Sequence, residues 1–344
     1  MPPRQTELAK FRDSLVSAYG DRVAPPRPEG TPREVMSSGS LTLDYALRRG
    51  GFLRKRLHEL VGPPDSAKTT LVTCAMAWAQ RNIPGRGIGY VDIEGTFDED
   101  WARLNGLEPD AIEHLYADDS EDCSDMTRKL IMSGLYSLVV VDSIGGMQSR
   151  KTLKKGAADP LPYRNSQVIT QMCQSLATEA RKHDCTVLLV NQLRAATGSM
   201  ATMPDVSAGP KAMQHATSSR TIMSGGSQEP VKMTFEEGQP PEIVSRQFKA
   251  RVTRYKAGAP GRIAEFWVNN RDTSEYGPAG INLVDEYVSV GVRLGVIERD
   301  GGSGYTMPGA KKVMGRGAAV KLLRERPELC AAIRERIFTP GGQP

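Results

Sequence analysis

The sequence predicts an α/β protein: a mostly parallel sheet covered by helices, with a short helix ahead of it and a small α+β unit behind it. Three observations carry that expectation. Short apolar strands alternate with helix-periodic segments between about residues 57 and 270; a glycine-led phosphate-binding pattern joins the first of those strands to the first of those helices; and the alternation stops after the turn-rich run 272–278. At 344 residues the chain is long enough for roughly two domains, or for one large domain with appendages. Its 39% hydrophobic and 25% charged residues, with 34 Gly and 23 Pro, exclude fibrous, low-complexity and disulfide-scaffold classes.

Residues 6–19 place Leu8, Phe11, Leu15 and Val16 at helical spacing, and a Pro-rich run over 24–32 then breaks regular structure. A helix this short cannot bury its apolar stripe alone, so it is expected to dock on the core or on another subunit. Strands are expected at 57–61, 88–93, 138–141 and 187–190. Helical faces recur at Leu71, Cys74, Ala75 and Trp78, and at Val168, Ile169, Met172 and Leu176. Residues 248–253 alternate apolar and polar, as a half-buried strand does; continued, that alternation puts Arg254 and Lys256 on the side of Phe248, Ala250 and Val252. Beyond residue 278, helices are expected at 283–294, 316–324 and 327–337, with a Gly-rich hairpin at 300–304. The expected boundaries are therefore an N-terminal helix and linker over 1–35, a core over 36–272 and a small domain over 273–344.

The net charge of +5 is mild, but its distribution is uneven. Residues 150–164 carry five cations (Arg150, Lys151, Lys154, Lys155, Arg164) against Asp159 alone, and residues 245–262 carry six (Arg246, Lys249, Arg251, Arg254, Lys256, Arg262) against none. Both patches are expected to meet polyanions. The 5 cysteines form no C-x-x-C pair and are expected to be reduced thiols. No apolar run approaches the roughly 20 residues that cross a bilayer, and the N-terminus lacks an apolar signal core, so no membrane partner and a cytoplasmic location are expected.

The chemistry begins at Gly62, Pro63, Pro64, Asp65, Ser66, Ala67, Lys68, Thr69 and Thr70, a G-x-x-x-x-A-K-T run between an apolar strand and an amphipathic helix. Backbone N–H groups of such a loop face phosphates, Lys68 reaches the β/γ-phosphates, and the Thr69 hydroxyl ligates Mg²⁺. Ala67 stands where a second glycine is usual, and its Cβ matters if the backbone takes positive φ. The strand at 138–141 ends in Asp142; alone, such an Asp is a turn former, but downstream of this loop it reads as a second Mg²⁺ ligand. Residues 90–94 form a further strand ending in Glu94, placed to polarise a water. Trp101 offers a flat face for a base or an ordinary core aromatic, and the residues leave both open.

In this order these residues resemble the RecA recombinases, bacterial and phage-encoded, over nearly the whole chain. The match extends to residues 38–44 (SGSLTLD), 139–144 (VVVDSI), 190–194 (VNQLR), 255–260 (YKAGAP), 264–266 (AEF), 280–282 (GIN) and 295–298 (GVIE). The resemblance implies a RecA-like P-loop ATPase core with an N-terminal docking helix and a small α+β C-terminal domain. It implies a DNA-dependent ATPase that uses ATP and Mg²⁺, forms helical filaments of itself on single-stranded DNA, engages double-stranded DNA, and serves recombination, repair and the SOS response. Glu94 is then the catalytic carboxylate, Asp98 and Trp101 contact adenine, and Gln192 senses the γ-phosphate. Arg254 and Lys256 reach the nucleotide of the neighbouring subunit. DNA would be held by a first loop over 155–162, with Lys155 and Pro162, by a second over 193–209, with Arg194, Thr197, Met200 and Gly209, and by Gln167, Thr170 and Gln174 on the helix beside them, with Lys151 and Lys154 of the basic run just ahead of the first loop.

The departures from the family pattern are specific. Ala67 replaces a glycine, which bears on the hydrolysis rate more than on nucleotide binding. Gln167 and Gln174 stand where Arg is common, and Thr197 replaces a larger aliphatic, so DNA contacts are expected to shift onto Lys151, Lys154 and Lys155. Residues 339–344 carry no acidic run of the kind many members end on, and any restraint such a run exerts on DNA binding is expected to be missing. Two other classes stay open: a nucleotide-binding filament or regulatory protein with little hydrolysis, and a ring-forming helicase-type motor.

Overall fold

The computed structural model describes residues 3–20, 23, 34–150, 162–194, 206–207, 211–236 and 238–339. It contains two compact units, residues 1–34 and 35–344. The first carries a helix, α1 (Pro3–Tyr19), on which Leu8, Phe11 and Val16 of the expected apolar stripe are exposed.

In the second unit β1 (Val35–Met36), α2 (Leu41–Ala46) and β2 (Phe52–Leu53) lead into the sheet. There follow β3 (Leu57–Gly62), α3 (Lys68–Asn82), β4 (Gly87–Asp92), α4 (Glu99–Leu104), β5 (Glu113–Tyr116), α5 (Ser120–Met132) and β6 (Tyr136–Asp142). Next come α6 (Pro162–Lys182), β7 (Thr186–Arg194), β8 (Val206–Ser207), α7 (Lys211–Ala216), β9 (Ser219–Gly225), β10 (Val231–Met233), β11 (Glu242–Tyr255), β12 (Ile263–Asn269) and β13 (Gly280–Ile281). The sheet order is β13-β12-β11-β9-β3-β7-β6-β4-β5. From β9 to β5 every pairing is parallel, and β11, β12 and β13 run antiparallel at the other side. The expected mostly parallel α/β sheet is therefore present.

Parallel strands need crossover connections, and the crossover helices cover both faces, so the strands read as near-continuous apolar runs. Leu138 and Val140 of β6 pack with Leu60, Leu188 and Val190 against Leu71, Ala75 and Met76 of α3. Val139 and Val141 turn the other way and meet Val187, Leu189 and, from α5 and α6, Ile131, Met172 and Leu176. The helical faces expected on α3 and α6 supply much of that cover, with Cys74, Trp78 and Val168 at its margin.

Residues 283–338 form α8 (Leu283–Arg293), the hairpin of β14 (Glu298–Arg299) and β15 (Gly304–Thr306), then β16 (Val313–Met314), α9 (Arg316–Glu325) and α10 (Pro327–Phe338). They close, together with Leu41 of α2, on a cluster around Val288, Ile297, Leu323, Ile333 and Ile337. No described helix is long and apolar enough to cross a membrane, and all five cysteines are free.

Two buried acids join this C-terminal cluster to α2. Asp44 accepts from Arg334 Nη2 at 2.7 Å, Ser37 Oγ at 2.5 Å and the Ser38 N–H at 2.7 Å. Glu286 accepts from Ser40 Oγ at 3.0 Å and from the Thr42 N–H at 3.0 Å. Burial pushes the Glu286 carboxyl up to about 8 against those bonds, which favour its charged form. A carboxyl raised on folding stabilises the fold fully below its unfolded pKa, here 4.5, and loses that contribution as pH climbs through about 8. Unfolding free energies from denaturant titrations at pH 5, 6.5 and 8 should therefore fall for the wild type relative to Glu286→Gln, by a few kcal/mol at about 1.4 kcal/mol per pKa unit. Parallel curves for the two proteins would contradict this assignment.

Candidate active site

At Gly62 the chain leaves β3 for the loop that opens α3, and glycine is required there. A Cβ would lie 2.4 Å from Ser66 Oγ and 2.8 Å from the Met223 carbonyl oxygen. The Ser66 hydroxyl closes the loop by donating to the Pro63 carbonyl at 2.7 Å. Asp65 and Ala67 both take the left-handed conformation, at φ 55° and 61°. Ala67 is also the residue before the helix, and it makes no side-chain cap bond. The first N–H groups of α3 are then available to an anion, with the helix dipole behind them. Lys68 folds over the loop, donating to the Pro63 carbonyl at 2.6 Å and to Ser66 Oγ at 3.3 Å. Burial lowers the pKa of this ammonium, while Asp142, Glu94 and Asp65 oppose the shift.

Thr69 Oγ1 donates to Asp142 Oδ2 at 3.2 Å, and the Tyr90 hydroxyl donates to the same oxygen at 2.9 Å. Asp142 is raised to about 6 chiefly by burial; the Tyr90 bond opposes the shift and the nearby charge of Glu94 adds to it. The strand expected to end in Glu94 ends two residues earlier, at Asp92. The Asp92 carboxylate accepts the N–H groups of Glu94 at 3.1 Å, Gly95 at 2.8 Å and Phe97 at 3.3 Å, and so shapes the turn that carries Glu94 out of the sheet. Glu94 Oε1 accepts from Ser143 Oγ and, at 2.6 Å, from Gln192 Nε2. Gly145 makes room for that glutamine, since a Cβ there would come within 3.0 Å of Gln192 Cβ. Lys68, Thr69, Glu94, Asp142 and Gln192 thus gather at the carboxyl edge of the parallel strands.

Asp98 caps α4 by accepting from the Trp101 N–H at 2.9 Å. Trp101 is half-buried against the core and donates from Nε1 to Thr70 Oγ1 at 3.2 Å, which ties it to the phosphate-loop helix. Sequence reasoning left out Tyr90 and Ser143. A buried tyrosine needs a partner for its hydroxyl, a weak signal for the first; adjacency to Asp142 was the signal for the second.

On α6, Gln167 and Gln174 are exposed and Thr170 is half-buried, its hydroxyl donating to the Ser166 carbonyl at 2.7 Å. The three lie on one stripe, opposite buried Met172 and Leu176. Pro162 begins α6 and Arg194 ends β7. Lys151, Lys154, Lys155, Thr197, Met200 and Gly209 lie outside the described residues. The basic patches are thinner than the sequence counts. Arg150 is held by Asp119 at 2.7 Å and Asp122 at 2.6 Å, and Lys249 pairs across strands with Glu265 at 3.1 Å.

Arg254 and Lys256 correct one expectation. They share a side, but not that of Phe248, Ala250 and Val252. The register of β11 on β9 shifts between Val252 and Arg254, so Tyr255 takes the core side with Val252. The two cations turn to the last turn of α7, Arg254 donating to the Gln214 carbonyl and Lys256 Nζ to the His215 carbonyl at 2.9 Å. Burial, then Arg254 and Arg56, lower the pKa of Lys256. They also stand away from the residues above. Tyr255 pairs with Ser219 and Ser219 with His58, four residues or about 13 Å from Gly62 along β3.

The left-handed Ala67 makes a stability prediction. Releasing it is worth about 1–2 kcal/mol, and the added freedom of an unfolded glycine costs about 0.4–1 kcal/mol. Ala67→Gly should therefore match the wild type in urea unfolding or exceed it by up to about 1.6 kcal/mol. A clear loss of stability would mean that the loop does not hold this conformation.

Comparison with known proteins bears on the family and the fold. The family model for the RecA N-terminal domain matches residues 27–272. Protein RecA of Chlorobaculum tepidum is 30% identical over 304 residues, covering 88% of this chain and 83% of that protein. Protein RecA of a Nocardioides species is 29% identical over 329 residues, covering 96% and 87%. Among solved structures, the RadB recombinase shares the fold, with a TM-score of 0.50 at 21% identity over 68% of this chain and 96% of that one. On the breadth of the family match, and on the relative from Chlorobaculum, the chain belongs to the RecA family of recombinases.

Proposed function

We propose that this protein is an ATPase stimulated by single-stranded DNA, which polymerises on that DNA as a helical filament and exchanges homologous strands with a duplex. The observation that carries the reading is the gathering of Lys68, Thr69, Asp142, Glu94 and Gln192 around one phosphate-binding loop. The α3 N-terminus and Lys68 would hold the phosphates. Thr69 and Asp142 offer a hydroxyl and a carboxylate 3.2 Å apart. No larger group of His, Cys, Asp and Glu is present among the described residues. That oxygen-only pair suits Mg²⁺, which takes its other ligands from phosphate and water and would supply charge neutralisation there. Glu94, oriented through Oε1 by Ser143 and Gln192, keeps Oε2 to accept a proton from the attacking water. Gln192 contacts the carboxylate directly, so a γ-phosphate competing for its amide would alter both Glu94 and the chain that follows β7. In this reading Lys151, Lys154, Lys155, Arg194, Thr197, Met200 and Gly209 hold single-stranded DNA beside α6. Residues 273–344 capture duplex, and the exposed stripe of α1 docks on a neighbouring subunit. Asp98 and Trp101 border the adenine.

Turnover should require Mg²⁺ and rise with added single-stranded DNA. Lys68→Ala should abolish it, whereas Glu94→Gln should keep ATP binding and lose hydrolysis by a factor of about 10² or more. Wild-type turnover in Glu94→Gln would rule out this carboxylate as the base.

Arg254 and Lys256 are too far along the sheet to serve their own loop, which supports action on a neighbour's nucleotide. A mixing experiment reads this directly. An inactive Arg254→Ala/Lys256→Ala chain and an inactive Glu94→Gln chain should regain hydrolysis when combined, because some interfaces then pair an intact Glu94 with intact cations. No recovery in mixed filaments confirmed by electron microscopy would exclude a shared site.

A further inference from the structure

One buried acid takes no part in the site above. Glu59, in the middle of β3, is fully buried, a costly place for a carboxylate unless neighbours compensate it. Its Oε1 accepts from Asn191 Nδ2 at 2.8 Å, and its Oε2 faces Arg220 Nε at 3.6 Å. That second distance is an ion pair but not a hydrogen bond, and neither atom has a hydrogen-bond partner among the described residues.

Each contact leads onward. A carboxylate only accepts, so Asn191 turns its amide nitrogen to Glu59 and its Oδ1 to the Gln192 N–H, 2.9 Å away. Gln192 in turn donates to Glu94. In the other direction, Glu59 is the register partner of Arg220 across β3 and β9, and Arg220 is the partner of Arg254 across β9 and β11. Two adjacent cations repel, and Glu59 is the one acid within ion-pair distance of Arg220 among the described residues. The contacts run obliquely across four strands, from the end of the sheet that holds Arg254 to the end that holds Gln192.

We propose that Glu59 is a positioning residue that couples these two ends: held between Asn191 and Arg220, it ties the aim of Gln192 at Glu94 to the placement of Arg254. Engagement of Arg254 by a neighbouring subunit then alters Glu94 through this carboxylate. The inference rests on the functional reading above and adds the route by which assembly reaches the hydrolytic carboxylate.

The test is steady-state ATP hydrolysis by the full chain with and without single-stranded DNA. Glu59→Gln/Arg220→Gln removes both charges together, which avoids stranding one of them in the core. Circular dichroism verifies its fold. The expected result is a KM for ATP within about threefold of wild type and a DNA-stimulated kcat lowered about tenfold or more, a split that a loosened nucleotide pocket would not produce. Asn191→Ala, which keeps the ion pair, should show the same split and decides the matter if the double variant does not fold. A folded variant with wild-type stimulation, or one that loses ATP binding, would overturn the role of Glu59. Wild-type protein that DNA does not stimulate would instead overturn the functional reading, and this inference with it.

Discussion

Parallel strands end on the same edge of their sheet, and that constraint organises the protein. β3, β4, β6 and β7 each run buried through the core, and at or just past the edge come Gly62, Asp92, Asp142 and Gln192. A residue placed there leaves the low-dielectric interior and meets the polar ends of its neighbours at once. The loop before α3, the turn built on Asp92 and the Ser143–Glu94–Gln192 cluster all depend on that shared edge. Were the strands antiparallel, the same residues would be divided between two edges.

Buried carboxylates do the joining elsewhere. Asp44 and Glu286 hold the C-terminal helices to the segment ahead of β3, Asp44 by accepting from Arg334 and Glu286 by accepting from Ser40 and the Thr42 N–H. Asp92 organises a turn, Asp142 takes hydroxyl bonds from Thr69 and Tyr90, and Glu59 sits between an amide and a guanidinium. Burying an acid destabilises a fold unless its partners are in place, so each of these sites specifies one arrangement of the elements it touches.

The two ends of the sheet have unequal chemistry. The carboxyl edge gathers acids around a lysine and a helix N-terminus, while the far end presents Arg254 and Lys256, held by carbonyls at the end of α7, where the helix dipole favours cations. Within one chain they stay apart. A protein so divided has its proposed hydrolytic residues on one face and their proposed cationic partners on another.

Much of this was legible in the sequence. Apolar runs at 57–61 and 138–141, the G-x-x-x-x-A-K-T pattern and the acids after the strands depend on local spacing alone, and the structure sets Lys68, Thr69, Glu94 and Asp142 close together; Gln192, which joins them, was singled out by the family resemblance and not by spacing. The question at Ala67 was readable too, since its Cβ matters only if the backbone takes positive φ, and the structure puts φ there at 61°. What the tertiary structure decided lies between elements. The side taken by Arg254 and Lys256 turned on a register shift that period-two counting cannot see. The partners of Arg150 and Lys249 came from elements remote in the chain or across a strand pairing, which a local charge count omits. Nothing in the local pattern of residues 57–61 singles out Glu59; the strand order sets β7, with Asn191, on one side of it and β9, with Arg220, on the other. Periodicity reports what a residue does along its own strand, and only the packed sheet determines which charge stands across from it.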